Sequence, residues 1–95
     1  MNLRKKYVSD SVTLLKAVSH PVRFSIILCL HENYNLTVTQ LTDKLSIEQP
    51  VVSLHLGVLR NCNIIGVEKA GKKSIYSIYN HSVRQIVYMI YNSQK

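Results

Sequence analysis

Apolar residues return at Val12, Leu15 and Val18, three positions apart, as on a helix with one buried face. Ser9-Asp10 ahead of them offers capping side chains, so a first helix is predicted over about 9–19. His20-Pro21 then resets the chain: the residue before a proline avoids the helical region, while proline suits the first helical position. A second helix follows from Pro21 to about His31. Its run Ile26-Ile27-Leu28-Cys29-Leu30 is apolar on most sides, as in a buried central helix. Asn33-Tyr34-Asn35 reads as a loop. Thr37-Val38-Thr39-Gln40 has the form of a capping box, which starts a short third helix to about Leu45 with Val38, Leu41 and Leu45 inward. Ser46-Ile47-Glu48 reads as a tight turn. Gln49-Pro50 repeats the cap-then-proline signal and starts a fourth helix, Pro50 to about Asn61.

Beyond this point the period changes from helical to alternating. Ile65, Val67 and Lys69 lead into Ala70-Gly71-Lys72-Lys73, and Ser74-Ile75-Tyr76-Ser77-Ile78-Tyr79 follows. Two short β-rich runs around a glycine turn predict a hairpin over about 65–79. A last helix is expected over about 82–92, with Val83, Ile86, Val87 and Ile90 as its stripe and Tyr88, Met89 and Tyr91 widening it. The predicted fold is mainly α with a small β-hairpin, in the order α-α-α-α-β-β-α. Two short helices joined by a tight turn (about 37–61) and followed by a basic hairpin make a winged helix-turn-helix, a single domain over 1–95.

Charge sharpens this reading. The 95 residues hold 12 Lys and Arg against 5 Asp and Glu, a formal net charge of +7. Such a balance points to a polyanionic partner, nucleic acid ahead of an anionic membrane surface. No apolar run is long enough to cross a bilayer, and Arg4-Lys5-Lys6 is not followed by an apolar segment, so neither membrane span nor signal peptide is expected and the location predicted is cytoplasmic. Cys29 and Cys62 form no CxxC motif, and no cofactor is expected. An enzyme is the weakest class: there is no carboxylate pair, nucleophile elbow or phosphate loop.

The motifs, in order, resemble the ArsR/SmtB family of winged-helix repressors. Ala17-Val18-Ser19-His20-Pro21-Val22-Arg23-Phe24 with Ile26-Ile27-Leu28 resembles that family's entry into its second helix. Gln49-Pro50-Val51-Val52-Ser53-Leu54-His55-Leu56 and Val58-Leu59-Arg60-Asn61 resemble its recognition helix, and Gly71-Lys72-Lys73-Ser74-Ile75-Tyr76-Ser77-Ile78 its wing. The likeness covers about residues 12–92. It implies homodimers that bind an operator and release it when an inducer binds.

On a helical wheel of the fourth helix, Val52, Leu56 and Leu59 form one stripe and must face the core. Pro50, Ser53, Leu54, Gly57 and Asn61, edged by Gln49 and Arg60, form the arc that enters a major groove of double-stranded DNA. Gln49 suits adenine, Ser53 a base or phosphate, and Leu54 a thymine methyl, although Leu54 reads equally as an ordinary surface leucine. Gly57 stands where the family often carries a basic residue. Arg60, Lys69, Lys72 and Lys73 are the expected phosphate contacts. His55 leans toward the core and reads as a packed structural histidine. Arg4, Lys5 and Lys6 form either a DNA-touching arm or a disordered start.

The first and last helices keep apolar stripes once a three-helix core is filled, so two-fold pairing through about 9–19 and 82–92 is expected. Metal-sensing family members carry cysteines at the start of the third helix or a carboxylate and histidine set on the last. Here those positions hold Thr37 and Thr39, and Asn80, Ser82 and Ser93, so no metal site is expected. Cys29, in Ile27-Leu28-Cys29-Leu30-His31, resembles the branch that senses reactive sulfur or oxidants. It also reads as a small buried apolar residue. A protein-interaction module is the other class left open, distinguished by whether the exposed helix and hairpin need to be cationic.

Overall fold

The computed structural model describes residues 2–95. Its elements run α1 (Leu3–Val18), α2 (Pro21–Asn33), β1 (Asn35–Thr37), α3 (Val38–Leu45), α4 (Gln49–Asn61), β2 (Ile65–Ala70), β3 (Lys73–Ile78) and α5 (His81–Asn92). The helices and the hairpin stand in the expected order, with one strand added between α2 and α3.

Four boundaries differ from expectation. The first helix starts at Leu3, well before Ser9-Asp10, because the Asn2 side chain accepts from the Lys5 N–H and supplies the cap further upstream. Arg4-Lys5-Lys6 is therefore not a disordered start but part of the first turns of a helix, with Lys6 paired to Asp10 one turn on at 2.9 Å. The second helix continues past His31 to Asn33, where Asn33 Nδ2 turns back onto the Cys29 carbonyl at 2.8 Å. The third and fourth departures lie at the next breaks. Of the loop Asn33-Tyr34-Asn35, only Tyr34 is irregular, since Asn35 already pairs in the sheet. Glu48, not Gln49, is the N-cap of α4, and Gln49 is its first helical residue.

The capping box at α3 forms as read. Thr37 Oγ1 accepts from the Gln40 N–H at 3.2 Å, and Gln40 Oε1 accepts from the Thr37 N–H at 2.9 Å. Such a cap is worth about 1 kcal/mol. The three strands form one antiparallel sheet in the order β1-β3-β2. Ala70 faces Lys73 across a two-residue turn in which Gly71 takes φ 64°, a conformation open to glycine at little cost. On the other edge Leu36 pairs with Tyr76 and Thr37 with Ile75.

The core draws on every helix and on the sheet. Ile26, Ile27 and Leu30 of α2, Leu41 of α3, Val52, Leu56 and Leu59 of α4, and Ile64, Ile65 and Val87 are sealed from solvent. Each such aliphatic side chain stabilises the fold by roughly 1.5–3 kcal/mol. Helix α2 packs on α1, α3, α4, α5 and the sheet, which is why its apolar residues run round most of its circumference. No single helix among the described residues is long and apolar enough to cross a membrane.

Candidate nucleic-acid interface

Helix α4 is amphipathic, and the core takes one of its faces. Val52, Leu56 and Leu59 lie inward, which turns Gln49, Pro50, Ser53, Leu54 and Arg60 outward into solvent. Leu54 is 66% exposed, an apolar side chain with nothing of its own chain to cover it. Glu48 makes no side-chain cap bond, but its carbonyl accepts from the Val51 and Val52 N–H groups at 3.1 Å and Pro50 has no N–H, so in the first turn of α4 only the Gln49 N–H is left for an outside acceptor. Arg60 lies in the last turn, where a cation also favours the carbonyl end of the helix. Gly57, within this arc, has open space where a Cβ would stand.

His55 sits at the seam between α4 and α2. Arg23 Nη1 lies 3.2 Å from His55 Nδ1, and the His20 ring stacks on it with centroids 4.3 Å apart. A guanidinium has no acceptor, so His55 Nδ1 presents its lone pair. Arg23 is itself tied down by a bond from Nε to the Ala17 carbonyl. Removal from water, with His20 and Arg23 adding repulsion, holds the His55 pKa below its ordinary value of 6.5.

The hairpin brings Lys69, Lys72 and Lys73 to the surface, and all three side chains are exposed. Because β1 pairs with β3, the hairpin stands over the start of α3. Lys72, Lys73 and Ser74 join Thr37, Val38, Thr39 and Gln40 around a cleft of about 470 Å³. Thr39, Gln40 and Ser74 were not expected at a site. The sequence marked Thr37–Gln40 as a cap, and only the long-range β1–β3 register places it beside the wing. With its Oε1 spent on the cap, Gln40 keeps its amide donors for an anion.

Cys29, the candidate sensor, lies in the wall of a cleft of about 400 Å³ beside Glu32, Asn33 and Lys44. Cys29 is buried and Cys62, at the C-cap of α4, is half-buried; both are free thiols. Burial pushes the Cys29 thiol up, Lys44 opposes it, and Glu32 adds to the rise. Such a thiol stays protonated at neutral pH and is a poor nucleophile. Among the described residues no group of three or more His, Cys, Asp or Glu side chains is placed to hold a metal ion.

A family model described as "Bacterial regulatory protein, arsR family" matches residues 20–67. The HTH-type transcriptional repressor SmtB of Mycobacterium tuberculosis is 36% identical over 74 residues, and the chain spans only 54% of that protein's length. The HTH-type transcriptional regulator NmtR of the same organism is 37% identical over 97% of the chain and 77% of its own length. The crystal structure of the transcriptional repressor BigR from Xylella fastidiosa superposes with a TM-score of 0.85 at 31% identity, covering 94% of this chain and 90% of that one. These relatives are regulators of transcription and not enzymes.

Proposed function

The chain belongs to the arsR family of bacterial regulatory proteins, and from that premise we propose that it is a sequence-specific transcriptional repressor that binds double-stranded DNA as a homodimer. The observation that carries this reading is the outward arc of α4, Gln49, Ser53, Leu54 and Arg60, flanked by Lys69, Lys72 and Lys73 of the hairpin, all exposed in a chain of net charge +7. In this reading Gln49, Ser53 and Leu54 meet base edges. Arg60 and the hairpin lysines meet phosphates, with the α3 end of the wing cleft adding N–H and amide donors.

Pairing is supported by apolar side chains that the monomer leaves open. Leu3, Tyr7, Val8, Val12 and Leu15 on α1, and Ile86, Met89, Ile90 and Tyr91 on α5, are all more than a third exposed. A two-fold axis through these helices would bury them and set two recognition helices about 34–36 Å apart, one turn of DNA. A cytoplasmic location follows from the same reading. Release by an inducer belongs to it too, and the burial of Cys29 favours a packing role for that residue over a sensing one.

The deciding experiment is fluorescence anisotropy on duplex DNA from immediately upstream of the gene, against a scrambled duplex, with reduced and then polysulfide-treated protein. Tight binding to the native duplex alone, unchanged by polysulfide, is the expected result. Loss on treatment would return Cys29 to the role of sensor. Absence of binding to either duplex at low salt would put the protein-docking reading in place of the repressor.

A further inference from the structure

Between the end of α2, the β1–β3 pair and the first turn of α5 lies a cavity of about 540 Å³, a volume suited to a small molecule. Its polar wall is a cluster of nitrogen groups. Arg84 Nη1 lies 3.0 Å from His31 Nδ1, and Arg84 Nε donates to His81 Nδ1 at 3.3 Å. A guanidinium donates and never accepts, so both rings turn Nδ1 lone pairs to it and carry their hydrogens on Nε2. What the cluster has left to offer is N–H donors and a full positive charge. No residue lining the cavity is acidic. Among the described residues the single ion pair is Lys6–Asp10, so Arg84 has no carboxylate beside it. The positive end of α5 adds to this field, since Asn80 caps the Val83 N–H and His81 opens the helix at the cavity wall.

Two further features suit a ligand and not a mere surface dent. Leu30 and Ile78 give the cavity an apolar part, and the His31 ring is held in place by Tyr88, centroids 4.2 Å apart. Tyr34, 87% exposed at the lining, takes φ 70° and ψ −68°. That is the region of the strained γ-turn, rarely held by a residue with a side chain and concentrated at ligand clamps and switches.

We propose that this cavity is an effector site for a small organic anion, a carboxylate or phosphate group carried on an apolar body. The free guanidinium N–H groups of Arg84 and the Nε2–H of His31 and His81 are the donors for its oxygens; Leu30, Tyr34 and Ile78 receive the body. The walls belong to elements with separate duties. Helix α5 carries the proposed pairing face, β3 carries the wing lysines, and β1 runs into α3. A ligand that draws Arg84 toward the sheet shifts one against the others, and this regulatory half rests on the DNA-binding reading above. His81, Arg84 and Tyr88 recur at one face of α5 and Ile86, Met89 and Ile90 at another, so of the pairing residues on α5 only Tyr91 shares the cavity side.

The test titrates the full chain with benzoate and with phenyl phosphate at constant ionic strength, following amide and Arg side-chain NMR shifts. Saturable shifts at Ser77, His81 and Arg84 are expected with one or both probes, and the pair separates carboxylate from phosphate chemistry. Arg84→Gln weakens binding roughly tenfold or more, as loss of a charged hydrogen-bond partner should. Arg84→Lys, which keeps the charge but not the fork, weakens it less, and Lys5→Gln leaves it unchanged. Shifts that do not saturate, that centre on Lys72 and Lys73, or that survive Arg84→Gln in a protein still folded by thermal melt would overturn the site. Anisotropy then reads the effector role: a saturating probe lowers DNA affinity in the native protein and not in Arg84→Gln. Unchanged DNA affinity at saturation would overturn that role and leave the anion site standing. Failure to bind DNA without any anion, alongside normal probe binding, would overturn the repressor reading instead.

Discussion

His55 shows how a single ring on the recognition helix becomes sensitive to acid. Partial removal from water, with the His20 ring and Arg23 facing it from the α2 side, holds its folded pKa below 6.5. In the unfolded chain the ring regains its ordinary pKa. Between the two values the unfolded state therefore binds more protons, and stability falls as pH drops below about 6.5, levelling off under the folded pKa. Urea midpoints of the native chain should fall from about pH 7.5 to pH 5.5 more steeply than those of His55→Gln. Parallel curves would remove His55 from the account. The residue was legible as structural from its place on the wheel, but its partners were not, because Arg23 lies 32 positions away. Caps divided in the same way. The Thr37 and Gln40 bonds span three residues and could be read directly, whereas Ser9-Asp10 looked like a helix start only because nothing local shows that Asn2 caps the chain earlier.

At the level of elements, α4 and the β2–β3 hairpin have different work in the proposed complex, and salt should tell them apart. Lys72→Ala and Lys73→Ala should each weaken binding to all sequences and flatten the plot of log affinity against log salt by about one unit. Gln49→Ala should cost about 1–3 kcal/mol on particular base pairs and relax preference there, with little change in slope. Equal effects of both kinds on specific and scrambled duplexes would contradict the division. Hairpin and helices were legible because periods of two and of about 3.6 residues are written locally in Ile65–Ile78 and in α4. Strand β1 was not. Asn35-Leu36-Thr37 is too short to show alternation and is a strand only because β3 pairs with it.

For the whole molecule, the open apolar faces of α1 and α5 are the basis of the proposed dimer. Ile90 is 50% exposed on α5, and a charge there should be tolerated by a monomer and rejected by a dimer. Ile90→Glu should sediment as a monomer with an unchanged circular dichroism spectrum and lose roughly a hundredfold in affinity for a two-half-site operator, since each half then binds alone. A native chain that is monomeric at micromolar concentration, or an Ile90→Glu chain that stays dimeric, would defeat the assembly. The unmatched stripes of these helices were visible in the sequence. The cavity at Arg84 was not, because it gathers residues from α2, the sheet and α5 that no local pattern connects.

The β1–β3 pair has a last consequence, for the order in which the chain assembles. It joins Thr37 to Ile75 and so closes a long loop that contains α3, α4 and β2 entire. The β2–β3 hairpin meets across two residues and can form early, while β1 must wait for a distant closure whose entropy has to be met first. The helix-turn-helix is thus an enclosed stretch of chain. Packing on α2 orients its two helices, and docking of the strand at its base should follow the hairpin as a slower step of folding.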